Sequence, residues 1–347
     1  MNNTFKKSVV SVFAGLSLLS SAFAADGDFA LTGNIQTQGE KKFYDNESDN
    51  PLDNFWFRGN FGGKYSSDNF DAQMVIRLYA PNSNKGSDRF QADTYWGNYK
   101  WKLDDQVLSL KLGHWKTDWS VGGNFGTYLD PNLGTRGYLA RDFAHDGFEL
   151  GWKAGISNLL VMVATNDNTG GFSTGYIRVE EKLKFEFPLE ATIGYRVNAI
   201  DPIAHTAVLT HRAALKLDYK ILPNFRVYAE GGLIITGKDD NVNDNVANAV
   251  LPEYGQDTKY FPVYGGIDIP TMGLLNNLLV EVEYIKDRSE LTKTKVPGNT
   301  ADDIEDLAWA VALVKNIGSR TKAQLSFFSE DGLGDVAMGL RFTTTIK

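Results

Sequence analysis

Beyond its first two dozen residues, the chain repeats one pattern: segments of roughly 8 to 12 residues in which apolar and polar side chains alternate. In 70–78 the even positions are apolar, while Asp71, Gln73 and Arg77 fall on the other face. In 177–187 the apolar set is Ile177, Val179, Leu183, Phe185 and Phe187, opposed by Arg178, Glu180, Lys182, Lys184 and Glu186; Glu181 is a charge on the apolar face. The same period places Glu190, Thr192 and Arg196 together in 189–197, and Lys216 and Asp218 in 213–219. It groups Arg226, Tyr228 and Glu230 in 225–233, and gives Arg341 to the polar face of 336–342. A period of two is that of a β-strand whose faces meet different surroundings. A water-soluble sandwich turns its apolar faces inward and a membrane barrel turns them outward, so the period alone does not choose.

The spacing of the segments does. Strands are expected at 29–36, 54–64, 70–79, 90–103, 107–117, 143–154, 158–166, 176–187, 189–198, 206–220, 225–236, 259–269, 278–288, 306–314, 321–328 and 335–345, sixteen in all. Their connectors alternate in length: 37–53, 80–89, 118–142, 167–175, 237–258 and 289–305 are long, while 65–69, 104–106, 155–157 and the turn at Pro188 are short. An even number of antiparallel strands, tight at one end and elaborated at the other, is the layout of an all-β transmembrane barrel with short periplasmic turns and long extracellular loops. Closure leaves no strand edge to face lipid with unpaired N–H and C=O groups. Tyr44, Trp56, Tyr95, Tyr99, Trp101, Trp119, Trp152, Tyr176, Tyr195, Tyr219 and Tyr284 fall near strand ends or on outward positions, where they suit aromatic girdles.

The start of the chain assigns a route. Lys6 and Lys7 precede an apolar run ending in Ala22-Phe23-Ala24, which reads as a cleavable signal over 1–24, leaving 25–347 as the barrel. Removing those lysines takes the formal charge from -8 to -10, so a phosphate-tracking surface for nucleic acid is not expected. With no cysteine there is no disulfide, thiolate metal site or Cys nucleophile.

Chemistry of other kinds finds few residues. His114, His145, His205 and His211 show no HExxH or close two-histidine spacing, so no metal site is expected; His145-Asp146 is placed to line the base of the connector 118–142. The acidic run 237–245 lacks the glycine and terminal glutamate of an EF-hand loop. No spacing nominates a nucleophile and its base, so neither catalytic residues nor a cofactor are expected and the chain is not read as an enzyme.

The strand periodicity and loop alternation together resemble the general bacterial outer-membrane porins, over the signal and essentially the whole remaining chain. The resemblance implies a passive diffusion channel for small hydrophilic solutes and ions in the outer membrane of a Gram-negative bacterium, set in outer-membrane lipid and assembled as a homotrimer. In that family the connector after the fifth strand folds into the barrel and narrows it. Here that place is held by 118–142, rich in glycine and carrying Asp118, Asp130, Arg136, Arg141 and Asp142. Its acids are expected to face a lumen wall of Arg58, Arg77, Arg178, Lys182, Arg196, Arg212, Arg226, Glu230 and Arg341. The family closes its last strand with an aromatic; here Phe342 stands five residues before Lys347. Two other readings share the architecture: a non-conducting barrel serving as an adhesin or structural anchor, and a sugar- or anion-specific channel with Trp115, Trp119 and Tyr128 as a track.

Overall fold

A computed structural model describes residues 27–42, 56–79, 90–116, 144–165, 175–198, 210–222, 225–236, 258–271, 273–286, 305–329 and 336–346. These residues form β1 (Asp28–Lys42), β2 (Trp56–Ser66), β3 (Phe70–Tyr79), β4 (Phe90–Leu103), β5 (Gln106–Lys116), β6 (Ala144–Ala154), β7 (Ser157–Thr165), β8 (Gly175–Lys184) and β9 (Leu189–Asn198). They continue as β10 (Thr210–Leu222), β11 (Phe225–Thr236), β12 (Thr258–Tyr260), β13 (Val263–Pro270), β14 (Asn277–Tyr284), β15 (Leu307–Ile317), β16 (Thr321–Ser329) and β17 (Val336–Ile346).

The strands form a single antiparallel meander that closes on itself, because β1 pairs with β2 along one edge and with β17 along the other. The three residues of β12 and the eight of β13 both pair with β11, so they are two pieces of one crossing. Pro262 separates them. It has no N–H for the ladder, but its carbonyl still accepts from the Gly232 N–H at 2.9 Å. The barrel therefore has sixteen crossings, the number expected from the alternation.

Exposure along the strands decides between sandwich and membrane barrel. On β9, Ile193 and Tyr195 are exposed while Thr192 and Arg196 between them are buried; on β14, Val282 and Tyr284 are exposed while Glu281 and Glu283 are buried. Apolar outside and polar inside is the reverse of a water-soluble protein and is the arrangement of a transmembrane barrel. The exposed apolar belt includes Tyr95, Tyr99, Trp101, Trp152, Tyr195, Tyr219 and Tyr284, all in the girdle set above. Tyr44 and Trp119 and the side chains of Trp56 and Tyr176 lie outside the described residues. Phe342 is on the outer face of β17, opposite Thr37.

At one end of the barrel the turns are tight. Leu103 pairs with Gln106 across Asp104 and Asp105, and Asp104 takes the left-handed conformation (φ 53°) that such a hairpin needs. At the other end the strands run into the long connectors.

Three elements differ from expectation. β1 continues to Lys42 instead of stopping at residue 36, because β17 offers a partner for every residue from Gly33 to Lys42. Residues 37–42 contain no large apolar side chain, so periodicity had nothing to read there. β8 ends at Lys184, leaving Phe185 and Phe187 in the turn, where their rings stack with centroids 5.2 Å apart. A register shift between Val75 and Ile76 leaves Asp93 as an extra residue on β4, and this bulge aims it at Arg77.

Candidate functional site

The inner wall is the candidate site, and the alternation of each strand decides what it presents. On β2 and β3 the inward phase holds a polar network: Arg58 donates to Gln36, Asn60 donates to Asn34 Oδ1 at 3.0 Å, and Arg77 Nε donates to Asn60 Oδ1 at 3.1 Å. Arg77 also pairs with Asp93. On β8, Arg178 pairs with Glu180, whose second oxygen lies 3.9 Å from Lys182 Nζ. Arg178 stands directly across the ladder from Arg196 on β9, and both are nearly buried.

Arg226 on β11 makes a two-armed contact with Asp218, at 2.7 Å from Nε and 2.5 Å to the second oxygen, while its guanidinium carbon sits 4.7 Å from the centre of the Tyr228 ring. The Tyr228 hydroxyl donates to Glu281 at 2.7 Å, and Tyr264 donates to the same carboxylate. Glu283, one turn of the pleat away, is fully buried on the same face. Glu230 is buried too and lies opposite Tyr264 in register. Arg341 on β17 lies in register between Gln324 and Gln38. Arg212 is placed by its backbone: it is opposite Arg196 on β9 and Ile234 on β11. Asp118, Asp130, Arg136, Arg141 and Asp142, with the whole of 118–142, lie outside the described residues.

Each expected arginine on β2, β3, β8 and β11 thus has a polar partner on the wall itself. Several of those partners were not singled out from the sequence. Asp93 is reached only through a bulge, which no alternation reveals. Glu281 and Glu283 carried a legible signal, since Glu281-Val282-Glu283-Tyr284 alternates and puts both carboxylates on one face. Lys111 was also missed: its ammonium lies 4.7 Å from the ring centres of both Trp96 and Trp115, opposite Glu149 in register. Trp115, considered as part of a solute track, is almost completely buried and packs on Met162 and Ala164.

The wall is uneven around its circumference. From β5 to β9 the inward phase carries Lys111, Lys153, Arg178, Lys182 and Arg196 against Glu149, Glu180 and Glu190, whereas from β11 to β14 it carries Glu230, Asp268, Glu281 and Glu283 against Arg226. On β15 the inner surface becomes small and apolar, Ala312 packing with Leu279 and Val314 and Ala310 with Phe328 and Ala337, while the same face of β16 and β17 carries Gln324, Ser326 and Arg341.

Three polar groups lie on the outer face. His114 Nδ1 is 2.9 Å from Asp146 Oδ1, Tyr95 donates to the same oxygen at 3.1 Å, and the Tyr95 and His114 rings stack at 5.1 Å. Asp146 therefore turns outward with Phe148 and Leu150, away from the connector base it was expected to line. Tyr195 meets His211 Nδ1 at 2.6 Å. Glu181, the exception to its strand's apolar face, accepts from Ser157 at 2.8 Å. Among the described residues no group of three or more His, Asp or Glu side chains is disposed to hold a metal ion.

No protein-family model and no curated protein matches the chain. Solved structures do. A triple mutant of Rhodopseudomonas blastica porin superposes with a TM-score of 0.55 at 10% identity, covering 92% of this chain and 100% of that one. A second variant of the same porin gives a TM-score of 0.56 at 11% identity with the same coverage. At such identity the likeness is one of fold: the chain has the sixteen-stranded antiparallel barrel of the bacterial outer-membrane porins.

Proposed function

We propose that the protein is a passive diffusion channel for small hydrophilic solutes and ions in the outer membrane of a Gram-negative bacterium. The observation that carries this is a closed barrel with an exposed apolar belt and an inner wall of ionised and hydrogen-bonded side chains. Charges placed inside such a wall order water and orient polar solutes as they pass, while radius excludes large ones. No chemical step or cofactor enters this reading. The likeness to a porin fold supports it.

Within this reading 118–142 folds inward and narrows the passage, presenting Asp118, Asp130 and Asp142 with Arg136 and Arg141 to the arginines of β2, β3, β8, β9, β10, β11 and β17. The molecule assembles as a homotrimer surrounded by outer-membrane lipid. Purified protein inserted in a planar bilayer is expected to give reproducible open steps with a defined conductance. Folded, inserted protein that passes no current would overturn the reading in favour of a barrel that serves as an adhesin or anchor.

A further inference from the structure

The tight-turn end of the barrel is apolar where it would meet water. Leu103 at the β4–β5 hairpin, Ile156 at β6–β7, Phe187 at β8–β9, Leu222 at β10–β11 and Ile317 at β15–β16 are each more than half exposed, and Leu274 at β13–β14 is 88% exposed. Three of them lie beyond an exposed aromatic of their own hairpin: Leu103 past Trp101, Ile156 past Trp152 and Leu222 past Tyr219. The apolar band of a membrane barrel is bounded by such aromatics, so side chains on their far side are expected to be polar. The β2–β3 turn meets that expectation with Ser67, Asp68 and Asn69. The other turns form an apolar collar, and exposed apolar surface of this kind marks a contact.

Two observations name what covers it. The collar is continuous with the outward apolar belt: on β10, Leu215, Leu217, Tyr219 and Ile221 are all exposed on the outward phase and lead without a polar break to Leu222. On β8 the outward phase carries Ile177 before Glu181 and Leu183 after it, and the chain then reaches Phe187 in the turn. Apolar surface thus runs past a carboxylate that Ser157 supplies with its own hydrogen bond at 2.8 Å. The dimensions agree. With Tyr95, His114 and Asp146 at the far waterline, a band about 25 Å high spans about ten residues of a strand that rises about 3.3 Å per residue at a tilt of about 40°. That span leads from His114 to Asp104 at the tip of the β4–β5 turn, and from Asp146 to Ile156. The band therefore ends at the turn tips and not at the aromatic row.

We propose that the apolar collar is a lipid-contact surface, and that the tight-turn end sits among the headgroups and upper acyl chains of the adjoining phospholipid leaflet instead of standing clear of it in water. Moving exposed leucine, isoleucine and phenylalanine out of water stabilises that depth. Asp104 and Asp105 at one tip, with Lys184 and Lys220 beside the collar, are exposed and reach the headgroup zone. The mouth of the barrel at this end then opens flush with the membrane surface. None of this depends on conduction.

The chain has no cysteine, so single introduced cysteines report depth without background. The test labels Ile156→Cys, Leu222→Cys and Leu274→Cys with a small fluorescent maleimide, in protein inserted in phosphatidylcholine vesicles with iodide on both sides. Leu217→Cys in the belt and Asp68→Cys at the polar turn are the lipid and water references. Collar labels are expected to behave as Leu217→Cys does, with blue-shifted emission, quenching by lipids that carry a nitroxide on the upper acyl chain, and loss of quenching by iodide. Collar labels that iodide quenches as strongly as it quenches Asp68→Cys, with no effect of the nitroxide lipids, would overturn the proposal and leave a soluble protein as the occupant. Three sites in separate hairpins keep the result readable where one variant does not fold. Because the readout needs no current, an inserted barrel that is electrically silent still decides it. Folded protein that enters no vesicle would overturn the collar and the channel reading together.

Discussion

The wall from β8 to β10 and the wall at β15 obey the same alternation and are filled with opposite kinds of side chain. In the first, Arg178, Arg196, Lys182 and Thr192 fill the inner face; in the second, Ala308, Ala310, Ala312 and Val314 do, beside Gln324 and Ser326. Alternation decides which residues look inward. Their size and charge decide whether the inner face is a field or a packed surface. The first wall accepts the cost of crowded like charges. The second gains contact energy from small side chains that let Ala310, Phe328 and Ala337 pack closely.

The sharpest way to break this contrast is to carry the chemistry of one wall to the other. Ala310→Arg places a long cation where the parent residue is 2% exposed and enclosed by Phe328 and Ala337. It is expected to cost about 3 kcal/mol or more, seen as a lower urea midpoint in detergent, since both overpacking and an unpaired buried charge oppose it. A midpoint equal to that of the parent would show that the second wall has room and that its packing contributes little.

A smaller effect is expected at the junction between the walls. Tyr264→Phe removes one of the two hydroxyls that donate to the Glu281 carboxylate and leaves Tyr228 in place. A loss of about 1 to 2 kcal/mol in the same unfolding measurement is expected. No loss would mean that Tyr228 alone satisfies the carboxylate. The smallest effect belongs to the charged wall: Lys182→Gln removes a partly exposed cation 3.9 Å from Glu180 and should change stability by less than about 1 kcal/mol. A larger drop would make this wall a structural feature like its counterpart.

The two walls were unequally legible in the sequence. On β8 and β9, charged and apolar residues alternate with Glu181 as the exception, so Arg178, Lys182 and Arg196 could be given an inward phase from the chain alone. β15 reads as one apolar run, Leu307 to Val314, because small apolar residues face in and larger ones face out; the period is present in volume and absent in polarity. The extension of β1 over 37–42 was hidden because it depends on a partner three hundred residues away. The wall-borne ion pairs were only partly readable: Arg226 with Asp218 follows from two facing hairpin strands, but Arg77 with Asp93 needs a bulge whose position no side chain announces.

The outward polar groups on one flank of the barrel give it a draught line. Tyr95, His114 and Asp146 mark one level, and Ser157 with Glu181 marks another, eight positions further along β6 and across its hairpin to β7. At about 3.3 Å per residue and a tilt of about 40°, the two levels are about 20 Å apart along the axis, slightly less than the height of an outer-membrane apolar band. Hydrocarbon supplies no partner to either group, so each carries its own: Tyr95 and His114 meet Asp146, and Ser157 donates to Glu181. Because their separation is shorter than the band, a barrel set in such a band holds one mark at the waterline while the other is sealed by its own hydrogen bond.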